Sequence, residues 1–198
     1  MMNINKWFIA LSIILISLCS SAATASSQKV MHFPGESSQI ASPNGRYVLV
    51  NVDSESEEHT LALGDNHALY LRDLRNGKEK KIYAYGRAVE ALWSPTGNKL
   101  MISDYGGSNY ANCIIFFFDT GRTSIDVQEQ LWKKMRYNKS IFGNHHVYIV
   151  GKEWFSEKRV KIKIFGHGDV DPHGFTLWYQ YLIGDGFKKL GYIPSEVP

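Results

Sequence analysis

Ser42-Pro43-Asn44-Gly45, running into Arg46-Tyr47-Val48-Leu49-Val50-Asn51-Val52-Asp53, recurs later in the chain. The second copy is Trp93-Ser94-Pro95-Thr96-Gly97, running into Asn98-Lys99-Leu100-Met101-Ile102-Ser103-Asp104. Each copy goes on to a second apolar run closed by glycine: Ala68 to Leu74 with Asn76-Gly77, and Cys113 to Asp119 with Thr120-Gly121. Pro43 and Pro95 fix φ near −65°, and Gly45 and Gly97 admit backbone conformations closed to other residues, so each copy opens on a tight turn. The runs that follow are rich in Val, Ile, Leu, Tyr and Phe and read as strands. Residues 54–66, between the strands of the first copy, are polar and read as an exposed hairpin loop.

A repeat of about 40–50 residues built from several short strands is the pattern of propeller blades. The Ser-Pro-x-Gly turn, the hairpin, the strand ending in Asp119 and the closing glycine resemble the WD40-like blades of TolB-type propellers. They are similar too to the propeller domains of prolyl-oligopeptidase-type enzymes. Those families usually carry Asp at the third turn position, where this chain has Asn44 and Thr96. Trp93 occupies the place where such blades set an aromatic anchor. The chain also resembles small secreted bacterial proteins. The resemblance implies an all-β fold of about three propeller-like, four-stranded antiparallel blades, incomplete or compact, with one amphipathic helix. An open array of this kind exposes sheet edges, which the helix, loops or a second protomer must cover.

Residues 1–25 read as a signal peptide, with Lys6 as the positive region, an apolar run from Phe8 to Leu18, and small residues at Ala23 and Ala25 for cleavage before Ser26. The apolar run is too short for a permanent membrane span. Leu18 before Cys19 argues for a soluble exported form over a lipoprotein, so the expected location is periplasmic or extracellular. Residues 26–40 read as an extended lead-in, with His32-Phe33 as an edge strand, and residues 41–198 as one domain.

Cleavage leaves a single cysteine, Cys113, inside an apolar strand. No internal disulfide can then form, so an apolar core must hold the fold, with Cys113 as a small buried member of it. The formal charge of +3 is small and the basic residues are scattered, so no nucleic-acid partner is expected. Lys78, Lys80 and Lys81 read as a solvated turn.

Val89, Ala91 and Trp93 alternate and share one strand face, and Lys161-Ile162-Lys163-Ile164 alternates as a half-exposed strand does. Further strands are expected at 144–153, 159–165, 175–183 and 187–192. Asp126 to Arg136 breaks the β pattern. Asp126 and Glu129 have capping-box spacing, and Val127, Leu131 and Met135 form one apolar face with Trp132 alongside. The helix either caps the open end of the sheets or is presented to a partner.

Three stretches carry candidate chemistry. Asp104, Tyr105, Asn109 and Tyr110 sit in a Gly-rich loop, where tyrosines and an amide would stack on and hydrogen-bond a sugar or peptide. His167, Asp169, Asp171 and His173 lie within seven residues and could ligate a metal, although the spacing matches neither zinc patterns nor the calcium loop, and Asp, Gly and Pro are ordinary β-turn residues. His145 and His146 are adjacent, so on a strand they would face opposite ways. No Gly-x-Ser-x-Gly elbow, P-loop, dinucleotide fingerprint or His-Glu-x-x-His pair occurs, and no cofactor is implied. By resemblance, TolB-type propellers bind protein partners through loops. The expectation is a noncatalytic exported binding or scaffold module that recognises an envelope or extracellular protein or peptide. The alternatives are a metal-dependent hydrolase of envelope polymers and an inhibitor or immunity-type protein using the 54–66 loop.

Overall fold

The computed structural model describes residues 28–35, 38–53, 67–121, 123–135 and 138–190. The signal-peptide reading of 1–25, the 54–66 loop and the tail after Leu190 lie outside the described residues. Within them the chain is mostly strand, in several antiparallel sheets with two helices, and the sheets do not close on one another.

The strands in order are β1 (Met31–Phe33), β2 (Gln39–Ala41), β3 (Tyr47–Asp53), β4 (His67–Asp73), β5 (Glu79–Tyr85), β6 (Val89–Trp93), β7 (Lys99–Asp104), β8 (Tyr110–Phe117) and β9 (Ser124–Asp126). Helices α1 (Val127–Met135) and α2 (Lys139–Phe142) follow, then β10 (His146–Ser156), β11 (Arg159–His167), β12 (Phe175–Leu182) and β13 (Gly186–Lys189). Strands β2 to β5 form one four-stranded sheet. Strands β6 to β9 form a second meander, to which β1 adds beside β6. Strands β10 to β13 form a third. A short parallel seam, Val147 beside Tyr110 and Tyr148 beside Ala111, joins the second sheet to the third. The lead-in thus supplies strands to two sheets, and α2, a single turn capped by Asn138, is an element its short length hid in the sequence.

The sequence repeat is a repeat of structure. Ser42 N donates to Tyr47 O and Ser94 N to Lys99 O, Gly45 N to Ser42 O and Gly97 N to Ser94 O, and Leu74 N to Arg46 O and Phe118 N to Asn98 O. Gly45 and Gly97 have φ of 65° and 70°, the left-handed region that the turns require. Asn44 does what a carboxylate could not. Its oxygen accepts from the Ser42 hydroxyl and Arg46 N, while its amide donates to Asn98 Oδ1 at 3.1 Å, tying the first turn to the second.

The sheets stack face to face. Between the first and second lie Tyr47, Leu49, Leu69, Leu71 and Tyr85 against Val89, Ala91, Trp93, Leu100 and Ile102. As the alternation predicts, Val89, Ala91 and Trp93 share this face, and Leu92 points the other way. Between the second and third lie Leu92, Met101, Cys113 and Ile115 against Val147, Ile149, Ile162 and Ile164. Helix α1 plugs this layer with Val127 and Leu131, both fully buried. Its first turn is capped by Asp126 Oδ1, which accepts from Glu129 N at 3.0 Å. Burying a leucine such as Leu131 stabilises by about 1.5–3 kcal/mol. Trp132 turns outward onto Phe142 of α2, 37% exposed, so it lies beside the buried face.

Cys113 is fully buried, and that burial pushes its thiol pKa up. Alkylation of Cys113 in the folded protein should therefore be at least about a thousandfold slower than in denaturant, because the thiol reacts only through opening of the core. Peptide mapping after iodoacetamide, with and without denaturant, measures this. Equal labelling would contradict the burial.

Glu157, in the β10–β11 turn, ties the second sheet to the third. It accepts from Thr96 N at 2.7 Å and from Lys99 Nζ at 2.8 Å. Burial raises its pKa, but the Lys99 and Thr96 hydrogen bonds outweigh that and leave it lowered. A carboxyl depressed on folding contributes stability above its unfolded pKa of about 4.3, lost as pH falls through the folded value. The melting temperature should fall below about pH 4, and Glu157→Gln should be destabilised by about 1 kcal/mol at pH 7 and converge on the native protein in acid. Parallel melting curves for the two proteins from pH 7 to 3 would refute the assignment.

Candidate functional site

The two ends of the stack differ chemically. The end carrying the Ser-Pro-x-Gly turns is built from tight, locally satisfied backbone. At the other end β3 finishes at Asp53, β4 starts at His67, β5 finishes at Tyr85, β7 finishes at Asp104, β8 starts at Tyr110, β10 starts at His146 and β11 finishes at His167. Register brings these residues to one rim: Asp53 opposes His67, His67 opposes Tyr85, Asp104 opposes Val89 and Asn112, Tyr110 opposes Val147, and His146 opposes His167.

The rim holds three polar groups. In the first sheet, His67 Nδ1 meets Asp53 Oδ1 at 2.6 Å, Asn51 donates to the same oxygen, and Tyr85 donates to Asn51 at 2.6 Å while its ring lies 4.9 Å from that of His67. The His67 and Asn51 hydrogen bonds lower the Asp53 pKa.

The second group contains the Gly-rich loop. Asp104 is 9% exposed, and its Oδ2 accepts from Tyr83 at 2.6 Å. Burial and the Asp104 carboxylate push the Tyr83 phenol far up, so Tyr83 remains a donor. Tyr105 is half-buried against Glu90, and its phenol is raised first by burial and then by that carboxylate. Asp104 and Tyr105 thus face into the stack. Asn109 and Tyr110 face out, Tyr110 46% exposed with its ring across Gly107. The loop backbone is held by the third sheet: Tyr148 donates to Ser108 O at 2.6 Å and Val147 N donates to Asn109 O at 3.1 Å. Of the four residues expected to face a ligand, the structure presents two, on a backbone held in place.

The third group is imidazole. The His146 and His167 rings stack at 4.3 Å and 11°, and the His145 ring lies 4.8 Å from that of His146. The expected divergence of His145 and His146 fails because β10 starts at His146, leaving His145 outside the strand alternation. His167 therefore associates with His146 rather than with the residues after it. Asp171 turns to Asn144, a buried hub whose amide donates to Asp171 Oδ2 at 2.7 Å and whose oxygen accepts from the backbone of Val170 and Asp171. Asp169 and His173 are exposed. Among the described residues no three of His, Cys, Asp and Glu are placed to hold a metal ion, so His167, Asp169, Asp171 and His173 are not brought together as ligands. The loop is a turn folded around Asn144. Asn144, Tyr83 and the Asp53–His67 pair had no signal in the sequence, since each depends on a partner set by strand register.

An open stack of antiparallel sheets with one tight-turn rim and one polar, aromatic rim is the class of protein that fold and site define. No protein-family model matches the chain, and no curated protein matches it. Among solved structures it is similar to the β-propeller domain of the Trilobed protease from Pyrococcus furiosus, with a TM-score of 0.48 and 17% identity over 78% of this chain and 42% of that one. It is also similar to TolB from Acinetobacter baumannii, with a TM-score of 0.41 and 15% identity over 83% of this chain and 33% of that one. The chain spans less than half the length of either. Among the described residues no helix is long and apolar enough to cross a membrane.

Proposed function

We propose that this chain is a noncatalytic, exported binding or scaffold module, its three sheets acting as propeller-like blades, and that it takes an envelope or extracellular protein or peptide on its loop rim. The observation that carries this reading is the Asn109–Tyr110 platform. An exposed tyrosine beside an amide, on a backbone held by Tyr148 and Val147, offers contact area at a reduced ordering cost on binding. A metal-dependent hydrolase would need His167, Asp169, Asp171 and His173 to converge, whereas Asn144 engages Asp171. The inhibitor reading depends on residues 54–66, outside the described residues.

The test is capture from an envelope extract by the native chain and by Tyr110→Ala and Asn109→Ala. Both variants should fold, since Tyr110 rests on glycine and Asn109 is exposed. The captured partner should bind each at least about tenfold more weakly, the loss expected of an interfacial tyrosine. A partner retained at full affinity by both variants sinks the rim reading.

A further inference from the structure

Basic residues that are scattered in the sequence are gathered by strand register onto one surface. Along β11, Val160, Ile162 and Ile164 are fully buried in the core. The alternation therefore puts Arg159, Lys161 and Lys163 on the opposite, outer face of the third sheet, about 7 Å apart along the strand. Lys188 of β13 joins them across Gln180 of β12, which itself pairs with Lys161. Among the described residues of these four strands, Glu153 is the one carboxylate on this face, 3.9 Å from Lys161 Nζ. The loops at its two ends add Lys158 and Asp185 at one and Asp169 at the other, while Glu157 is committed to Lys99. Four strand cations and one anion give this face as much net charge as the +3 of the whole chain.

A column of like charges repels itself, and aromatic rings hold this one in place. Lys161 Nζ lies 4.8 Å from the Trp178 ring, and Lys163 Nζ lies 4.7 Å from the Phe165 ring and 5.8 Å from that of Trp178. Cation–π contact fixes each ammonium group over a ring and leaves its charge turned to water. No described carboxylate comes within ion-pair distance of Lys163. The face is thus a fixed ladder of charge that its own side chains leave largely unneutralised. Its other side chains select among polyanions. The ring faces carry ammonium groups, so an unpaired nucleobase finds no open stacking platform. Gln180, between Lys161 and Lys188, and the exposed Thr176, beside Phe165, are neutral groups suited to hydroxyls. Cations interleaved with an amide and a hydroxyl match a sugar acid.

We propose that the outer face of the third sheet binds a linear acidic polysaccharide. Its carboxylates or sulfates pair with Arg159, Lys161, Lys163 and Lys188, and its hydroxyls meet Gln180 and Thr176. The glycan lies along β11, so that successive acid groups meet successive cations. This surface is distinct from the Asn109–Tyr110 platform, and Tyr110→Ala should leave glycan binding unchanged, so the two readings fail separately.

Titration calorimetry with polygalacturonate tests this, with neutral dextran, a single-stranded oligothymidylate and phosphatidylglycerol vesicles as comparisons. The native chain should bind polygalacturonate with a Kd of about 100 µM or tighter at low salt and should ignore dextran. Raising salt from about 50 to 200 mM should weaken binding at least about tenfold, as for any ligand held by several ion pairs. Lys161→Gln and Lys163→Gln keep a stem over the rings and remove only the charge. Each should weaken binding about fivefold with an unchanged melting temperature, and the double variant at least about tenfold. Lys78→Gln removes the same charge from the β4–β5 turn and should bind as the native chain does. A native chain that leaves polygalacturonate unbound overturns the proposal, as does binding that the double variant retains. Equal binding of the oligonucleotide or the vesicles, lost in the same double variant, overturns the assignment to a glycan.

Discussion

Gly166→Ala is expected to remove about 3–5 kcal/mol of stability. Gly166 lies in β11 between Val147 of β10 and Phe175 of β12. Its backbone is not left-handed, so space rather than conformation demands glycine there. A Cβ at this position would overlap the His146 carbonyl oxygen and stand 3.2 Å from Val147 Cα. Both neighbours are main chain, which cannot rotate aside as the end of a long side chain does. The strands must part where β10 also carries the parallel seam to β8, so the seam and the His146–His167 stack should loosen together. The melting temperature should fall by roughly 10 °C, at about 2–4 °C per kcal/mol for a chain of this size. Gly121→Ala is the control. No described residue beyond its chain neighbours lies within 4 Å of a Cβ there and φ is not positive, so its effect should stay within about 0.5 kcal/mol. A Gly166→Ala protein that melts with the native one would mean that β10 and β11 sit further apart than described.

Much of this fold is written locally. Gly45, Gly77 and Gly97 all have positive φ, and each sits where a turn residue was expected, because a left-handed residue is a requirement of the turn itself. The single-face set Val89, Ala91 and Trp93, the half-exposed β11 and the apolar stripe of α1 follow equally from period alone. What period cannot supply is the partner across a gap. The seam between β8 and β10 pairs Tyr110 with Val147 across two helices, and nothing in either strand specifies it. Asp104 ends a strand beside a Gly-rich loop, which in sequence is the place of a ligand-facing acid. It is a buried acceptor because Tyr83, on the neighbouring sheet, reaches it. Sequence spacing groups His167 with Asp169, Asp171 and His173, whereas register sets it on His146. The candidate site was therefore legible as a loop, and its exposed members only once the sheets were stacked.

Trp93→Ala should cost about 3–5 kcal/mol, and Trp93→Phe should cost no more than about 1. The side chain is 4% exposed and closes the layer between the first two sheets, its ring centroid 6.4 Å from Tyr47 in a stacked arrangement and 5.8 Å from Phe118 edge-on. Truncation to alanine removes the aromatic volume on which both neighbours rest and leaves a cavity that strands on either side cannot collapse to fill. Phenylalanine keeps most of that volume. It also removes the indole Nε1, which is buried without a hydrogen-bond partner among the described residues, so the lost ring atoms are offset by relief of a desolvated donor. Trp154, in the layer between the second and third sheets, is 2% exposed and has its indole donor satisfied. Its Nε1 donates to Leu92 O at 3.2 Å, linking the third sheet to the second. Trp154→Phe loses that bond as well as volume, and should cost about 1–2 kcal/mol more than Trp93→Phe. Denaturant melts of the three variants should therefore rank Trp93→Ala as least stable, Trp154→Phe next and Trp93→Phe nearest the native protein. If Trp93→Phe is as damaging as Trp93→Ala, the first two sheets are held by an indole-specific contact and not by aromatic volume. If the two phenylalanine variants are equal, the Leu92 bond contributes nothing to the hold between the second and third sheets.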